Sequence, residues 1–183
     1  MSTPSARRSD DESVVEAQLD RPPRGKWRVA VRCSLGYPSV VLTEPLLDDG
    51  TPFPTLYWLT CPWLIESVGR IEGDGGAAHW AGRLAMEKDL ASRAMEADAE
   101  YRKRRSAETE AEDPCVTVGV AGQSDPLATK CLHAHVAAYL AGTGDPVGAG
   151  VLEQTAIECD DATCDSLAPD ASSQGGSIDG STK

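Results

Sequence analysis

The feature that most constrains the fold is a series of short strand patterns within residues 26–60, separated by turn residues. Residues 26–33 alternate between apolar and polar side chains, which predicts a half-buried strand. Its apolar face is predicted to consist of Trp27, Val29, Val31 and Cys33. Residues 39–43 and 54–60 predict two further strands, with glycine and proline in the turns between them. Three strands joined by short turns predict an antiparallel meander.

The pattern changes from strands to helices after residue 60. Residues 62–71 carry an apolar stripe at helical spacing, and the Gly-Asp-Gly-Gly run at 73–76 ends this helix. Residues 78–108 predict one long charged helix, whose narrow apolar stripe indicates that it projects from the body or lies across it. A short strand at 115–118 and a last helix at 126–141 follow. The predicted class is therefore α+β, a small antiparallel β-meander packed on one face against helices.

Length and composition predict one domain with extended ends. The chain has 183 residues, and one domain typically has about 100–200. We expect a single α+β domain over residues 21–158. Residues 1–20 are predicted to form a disordered or partly helical arm. Residues 159–183 are rich in serine, glycine and aspartate, bury too little apolar surface to offset the cost of ordering, and predict a disordered tail.

The net charge of −12 restricts the classes of partner. Phosphate backbones and anionic lipid surfaces repel such a chain, so nucleic acid and membranes are not expected as partners. The basic run at 101–105 is interpreted as a solvated helix face near a C-terminus, where cations suit the helix dipole. No secretory signal and no apolar stretch of about 18 residues is visible, which predicts a cytoplasmic location.

Three of the six cysteines form the most informative set in the sequence. In a reducing cytosol, cysteines suggest metal binding, thiol chemistry or burial before they suggest disulfides. Cys33, Cys61 and Cys131 all lie near the predicted ends of helices or strands. Cys61 is predicted at a helix N-terminus, where backbone amides stabilise a thiolate and lower the thiol pKa. Metal ligation, ordinary burial and a thiol enzyme using Cys61 remain three open interpretations.

A metal site at these cysteines needs a fourth ligand, and histidine supplies two candidates. Cys131 and His135 are four residues apart on the predicted last helix and so point to the same side. His133 points away from that pair, and a different helix rotation is needed to bring it to the site. Thiolates with one imidazole favour zinc or an iron–sulfur cluster over magnesium or calcium. The predicted site therefore consists of Cys33, Cys61 and Cys131 with either His133 or His135.

Two other features bear on function. Cys159 and Cys164, spaced Cys-x₄-Cys beside the predicted tail, either bind a metal, form a redox pair, or are simply reduced thiols. The second functional hypothesis is a non-enzymatic protein-interaction or regulatory module. Its cysteines would be buried and structural, and the charged helix at 78–108 would be its docking surface.

Three motifs, taken together, resemble a bacterial family of the actinobacterial type called domain of unknown function 501. They are Arg-Cys-Ser-Leu-Gly-Tyr-Pro at 32–38, Asp-Gly-Thr-Pro-Phe-Pro-Thr-Leu-Tyr-Trp-Leu-Thr-Cys-Pro at 49–62, and Lys-Cys-Leu-His at 130–133. The resemblance covers about residues 20–150 and implies no activity.

The resemblance also bears on the choice of ligands. It implies that four residues match motif positions of the family: Cys33, Cys61, Cys131 and His133. It thereby favours His133 over His135 as the fourth ligand. The chain departs from the family pattern at Leu35, where many members carry a second cysteine.

Overall fold

The computed structural model describes residues 10–157, 159 and 163–167 and confirms the predicted α+β class. The elements are α1 (Asp11–Leu19), β1 (Trp27–Arg32), β2 (Pro38–Thr43), β3 (Tyr57–Leu59), α2 (Pro62–Gly73), α3 (Gly76–Met86), α4 (Lys88–Ser106), α5 (Leu132–Leu140) and α6 (Pro146–Leu152). Two 3₁₀ turns cover Val120–Gly122 and Thr163–Ser166. The predicted disorder of residues 1–9, 160–162 and 168–183 concerns residues outside the described ranges.

The predicted meander is present, with strand order β1-β2-β3 and antiparallel pairing throughout. The first turn is closed by two backbone hydrogen bonds, from Cys33 N–H to Tyr37 O and from Gly36 N–H to Cys33 O, both 2.9 Å long. Gly36 adopts a φ of 87°, which a residue without a Cβ tolerates. All six residues of the central strand β2 are buried.

The prediction that Trp27, Val29, Val31 and Cys33 share one face is wrong. Val29 lies opposite Val41, whereas Val31 lies opposite Val40, so β1 contains one more residue than β2 over this stretch. Such a β-bulge rotates the following residues to the other side of the sheet. Val31 consequently packs against the main core, together with Ala30.

Helices cover both faces of the sheet, and not one face as the sequence predicts. The main core combines Val40 and Leu42 of β2 with buried side chains of α2 to α6. The short helix α1 contacts β2 and buries Val14 and Val15 outside that core cluster. The arm that precedes the sheet is therefore packed onto it from residue 11.

The predicted long helix at 78–108 is two helices. Glu87 has an extended backbone with φ −103° and ψ 97°, and it separates α3 from α4. Neither glycine nor proline marks this break, so the helical periodicity continues through it in the sequence. The break lets both pieces bury apolar residues, among them Trp80 in α3 and Leu90 in α4. Instead of projecting, α4 lies against the body.

The basic run at 101–105 lies in the last turns of α4, near a helix C-terminus as predicted, but only part of it is solvated. Tyr101 and Arg105 are fully buried. The Tyr101 hydroxyl accepts a 2.7 Å hydrogen bond from Leu56 N–H. Arg105 donates to both carboxylate oxygens of Asp113, at 2.7 and 3.1 Å, and to three backbone carbonyls, those of Pro45, Phe53 and Pro54. Paired and hydrogen-bonded in this way, a guanidinium can be buried.

Two further predictions are corrected near the C-terminal half. Residues 115–118 form turns rather than a strand, because Asp113 caps this segment by accepting from Cys115 N–H. The last predicted helix begins at Leu132, not near residue 126, and is followed by the unpredicted α6. The start of α6 is capped by Asp145, which accepts from Val147 N–H and Gly148 N–H. No helix in the described ranges is both long enough and apolar enough to cross a lipid bilayer.

Candidate functional site

The five predicted ligands lie in three different places. Cys131 and His133 come together beside Glu72, and this is the one group of three potential metal ligands within mutual reach in the described part of the chain. Cys33 and Cys61 line a separate small pocket. The buried His135 pairs with Asp145 instead. The structure thus does not assemble the predicted set around one ion.

The Glu72 group forms where the end of α2 meets the start of α5. Glu72 lies in the last turn of α2, and Cys131 is the N-cap residue of α5. The Oε1 atom of the Glu72 carboxylate accepts a short hydrogen bond from Leu132 N–H. A carboxylate is favoured there, because the first backbone amides of a helix lack acceptors and carry partial positive charge.

The three potential ligand atoms converge closely. His133 Nδ1 lies 3.0 Å from Glu72 Oε2 and 3.9 Å from Cys131 Sγ. All three ligand atoms lie within 4.8 Å of one another. In a tetrahedral zinc site, bond lengths of about 2.0–2.3 Å place neighbouring ligand atoms about 3.3–3.8 Å apart. The observed spacing therefore fits a single metal ion with small side-chain adjustments.

The hydrogen bond made by His133 Nε2 determines whether Nδ1 can bind a metal ion. His133 Nε2 lies 3.0 Å from the backbone carbonyl oxygen of Ile65. A carbonyl oxygen only accepts, so Nε2 carries a hydrogen and donates it. In the neutral ring the lone pair is then on Nδ1, facing Glu72 and Cys131. Metal-binding histidines commonly show this arrangement, with the other ring nitrogen donating to a backbone carbonyl.

The surroundings of His133 favour a positive charge at Nδ1. The pKa of His133 is raised to about 9, first by its hydrogen bond with Cys131 and further by the Ile65 carbonyl and the Glu72 carboxylate. Burial opposes this increase because it disfavours the charged ring. His133 Nδ1, which lies between a carboxylate and a sulfur, therefore favours binding either a proton or a metal ion.

Cys131 and His133 line the wall of a cleft of about 490 Å³. Most of the other lining side chains are apolar, including Leu19, Tyr57, Trp58, Leu59 and Ile65. Lys130 and Arg21 add positive charge to the same cleft. A reactive group or metal ion held by Cys131 and His133 would thus lie beside a largely apolar chamber of small-molecule size.

His135 occupies a different environment from the one that helix spacing predicts. Cys131 has an extended backbone, with φ −142° and ψ 108°, so the four-residue helical spacing does not apply to it. His135 is buried, and its Nδ1 lies 2.7 Å from Asp145 Oδ2. This pair ties α5 to the start of α6. The choice of His133, which the family resemblance favours, agrees with the observed grouping.

The prediction that the helix N-terminus lowers the pKa of Cys61 is wrong. Cys61 is the N-cap residue of α2, but burial raises its pKa, which outweighs the nearby backbone amides of Leu64 and Trp63. A thiol whose pKa is raised is less often the nucleophilic thiolate at neutral pH. Cys115, which a strand start would bury, lies half-buried in a turn.

Glu72 is a candidate ligand that the sequence patterns do not predict. It lies just before the glycine-rich break at 73–76 and shares no ligand-like spacing with Cys131 or His133, 59 and 61 residues later. Only the packing of α2 against α5 brings it to the site. The sequence therefore contains no local signal for its role.

Comparison with known proteins gives a family but no activity. The family model described as "Protein of unknown function (DUF501)" matches residues 29–153, which include Glu72, Cys131 and His133. No curated protein and no solved structure matches the chain. The matched range covers more than half of the sequence, and the chain therefore belongs to the DUF501 family of proteins of unknown function.

Proposed function

We propose that this protein binds a metal ion through Glu72, Cys131 and His133. The observation that carries the proposal is the hydrogen bond from His133 Nε2 to the Ile65 carbonyl, which directs the Nδ1 lone pair of the neutral ring at Glu72 and Cys131. A metal ion at this point would satisfy all three groups at once. The proposed ligand set retains Cys131 and His133 from the predicted one. It contains the Glu72 carboxylate in place of Cys33 and Cys61.

The donor set favours zinc. One thiolate, one imidazole and one carboxylate are all common zinc ligands, whereas iron–sulfur clusters are held mainly by several cysteines. Three protein ligands leave a fourth position for water or substrate, as in catalytic zinc sites. The site borders the 490 Å³ cleft, so we propose a small molecule with an apolar part as the substrate or ligand. Zinc would act there as a Lewis acid.

Metal analysis of the purified full chain tests the proposal. The variants Glu72→Gln, Cys131→Ser and His133→Ala are each expected to lose one equivalent of zinc per chain relative to the unchanged protein. Glu66→Gln and His79→Ala are matched controls, because Glu66 lies on the same helix paired with Arg70 and His79 is exposed. Equal zinc content in the unchanged protein and all three ligand variants would refute the site.

Cobalt substitution adds a spectroscopic check. Cobalt bound at this site is expected to contribute the charge-transfer absorption of one thiolate; this contribution is lost in Cys131→Ser and persists in Cys115→Ser. A cobalt complex without that absorption would show that Cys131 is not a ligand.

A second candidate function is thiol chemistry at Cys131. Its sulfur lies at the start of α5 beside His133, whose raised pKa of about 9 keeps the ring positively charged at neutral pH. Metal-free protein alkylated more rapidly at Cys131 than at Cys115 would favour this candidate. Loss of alkylation on adding zinc would favour the metal site.

Two earlier predictions stay predictions. The docking surface over residues 78–108 now consists of α3 and α4, on which Met86 and Met95 are 78% and 53% exposed. We propose this pair of methionines as the first positions to vary in a partner-binding assay, since exposed methionine adapts to different partner surfaces.

The cytoplasmic location is likewise a proposal, and localisation of a fluorescent fusion would test it.

A further inference from the structure

Four of the six cysteines meet at one small pocket, apart from the Glu72 group. The pocket has a volume of about 20 Å³ and is lined by Cys33, Cys61, Cys159 and Cys164. That volume is enough for a single water-sized particle. Cys33 comes from the β1–β2 turn, Cys61 from the start of α2, and the other two from the C-terminal segment. Three separate parts of the chain thus contribute cysteines to the lining of one pocket.

Hydrogen bonds hold the C-terminal segment at this pocket. The Trp63 indole N–H donates to Ala156 O at 2.8 Å, just before Cys159. The Tyr37 hydroxyl donates to Asp165 Oδ1 at 2.6 Å, just after Cys164. One bond is formed before Cys159 and the other just after Cys164. Side chains of α2 and of the β1–β2 turn thus hold described residues of the C-terminal segment beside the pocket.

One of the sulfurs accepts a hydrogen bond from a buried side-chain amide. Gln18 Nε2 lies 3.3 Å from Cys164 Sγ, and the same amide donates to Pro38 O at 2.8 Å, which fixes its orientation. Gln18 is only 8% exposed. The backbone amides of Leu64 and Trp63 oppose the increase that burial causes in the pKa of Cys61, although the Cys61 side chain makes no capping hydrogen bond. N–H donors of this kind surround metal-bound thiolates, where they orient the ligands and tune the site.

We propose that Cys33, Cys61, Cys159 and Cys164 form a second metal site, which binds zinc through four thiolates. Four cysteines complete a closed tetrahedral zinc site of the structural type. Each thiol loses its proton to solvent as its sulfur binds the ion, so no oxidant or reductant takes part. No histidine, carboxylate or basic residue lines this pocket among the described residues.

Metal binding would contract the pocket. No three of these sulfurs lie within 4.8 Å of one another in the described ranges, whereas zinc–sulfur bonds of about 2.3 Å place them about 3.8 Å apart. Cys61 is held by α2, and Cys159 lies outside the helices and strands. The C-terminal segment would therefore move toward α2 and be clamped there. This site is independent of Glu72, and two of its ligands lie beyond the matched range of residues 29–153.

Zinc titration of reduced, metal-free full chain tests this site. Cys159→Ser is the main variant, because Cys159 is half-buried outside the core, and it is expected to lose one equivalent of zinc. Cys115→Ser is the matched control and should bind as the unchanged protein does. Circular dichroism verifies that both variants are folded. Equal zinc binding by Cys159→Ser and the unchanged protein would overturn the proposal.

Cobalt separates this site from the Glu72 group. In a Cys131→Ser background, the remaining cobalt equivalent is expected to absorb with the intensity of four thiolates. An intensity of two thiolates or fewer would overturn the four-cysteine site, whatever happens at Glu72. Gln18→Met, which removes the N–H donor to Cys164, is expected to weaken zinc binding about 10- to 100-fold. An unchanged affinity in that variant would refute the proposed role of Gln18.

Discussion

His133 and His135 lie two residues apart on α5, and both place Nδ1 near a carboxylate. For His135, Nδ1 lies 2.7 Å from Asp145 Oδ2, and the buried Nε2 has no hydrogen-bond partner among the described residues. For His133, the hydrogen of the neutral ring is committed to the Ile65 carbonyl on Nε2, so Nδ1 faces Glu72 and Cys131 without one. The difference shows that the partner of the second nitrogen decides which ring nitrogen carries the hydrogen, and whether the nitrogen beside the carboxylate can bind a cation.

The largest expected effect on stability comes from a substitution next to His135. Asp145→Ala removes the acceptor for His135 and for the first amides of α6. We expect the free energy of unfolding to fall by about 3 kcal/mol, the sum of a lost cap and a lost charge-assisted hydrogen bond. Chemical denaturation measures this change, and Glu153→Ala at the other end of α6 is the control. Loss of zinc from folded Asp145→Ala would contradict the separation of the two histidines.

Gly148→Ala tests how tightly α6 is packed near His135. A Cβ at residue 148 would overlap the backbone carbonyl oxygen of His135, which has no room to move within α5. We expect a loss of about 2–3 kcal/mol of stability, as is typical of overpacked cores. Thermal unfolding followed by circular dichroism measures it. An unchanged melting temperature would show that α5 and α6 separate more easily than the structure indicates.

The pH dependence of the metal-free protein tests His133. Its pKa in the folded chain is about 9, above the ordinary value of 6.5, so the folded state binds the proton more tightly. The resulting stability is fully present below about pH 6.5 and is lost as the pH rises to about 9. Because the side chain is partly exposed, we expect no more than about 2 kcal/mol. Unfolding measured across this range in a chelator should show the decline.

The variant His133→Gln should remove most of this pH dependence, and the exposed His79→Gln should retain it. Zinc affinity should rise over the same pH range, because zinc and the proton compete for Nδ1. Stability that increases from pH 6.5 to 9 in the metal-free protein would contradict the assignment.

The smallest expected effect on stability comes from Gly69→Ala, a substitution next to His133. A Cβ at residue 69 would lie 3.9 Å from His133 Nε2, an ordinary contact distance. Replacing glycine by alanine inside a helix usually stabilises it by about 0.5–1 kcal/mol. We expect a gain of this size in unfolding free energy with unchanged zinc content. A loss of zinc would show that the ring of His133 has less freedom than this distance implies.

The sequence predicts the sheet well because alternation and turn residues are local signals. The bulge between Val29 and Val31 was missed, since a single extra residue leaves no periodic trace. The start of α6 was missed although Asp145-Pro146 is a good N-terminal signal, because the helix is only seven residues long. These differences are all local in origin.

The sites were less predictable because they depend on long-range contacts. Cys131 and His133 were identified, but Glu72 joins them only through the packing of α2 on α5. The four-cysteine pocket similarly requires the C-terminal segment to return to the β1–β2 turn, which no spacing in the sequence encodes. Helix periodicity chose His135 because it assumed that Cys131 is helical, whereas Cys131 is an extended cap.

Arg105 has a consequence for the connection between β2 and β3. That connection contains Pro45, Pro52 and Pro54, which have no backbone N–H to donate, so it is rich in carbonyl acceptors. Arg105 of α4 donates hydrogen bonds to three carbonyl oxygens of this connection, as the backbone N–H groups of a neighbouring strand would in a sheet. Lysine has three donors on a single atom and lacks the planar geometry needed to reach these separate acceptors. Position 105 is thus expected to accept only arginine in any redesign that retains this loop.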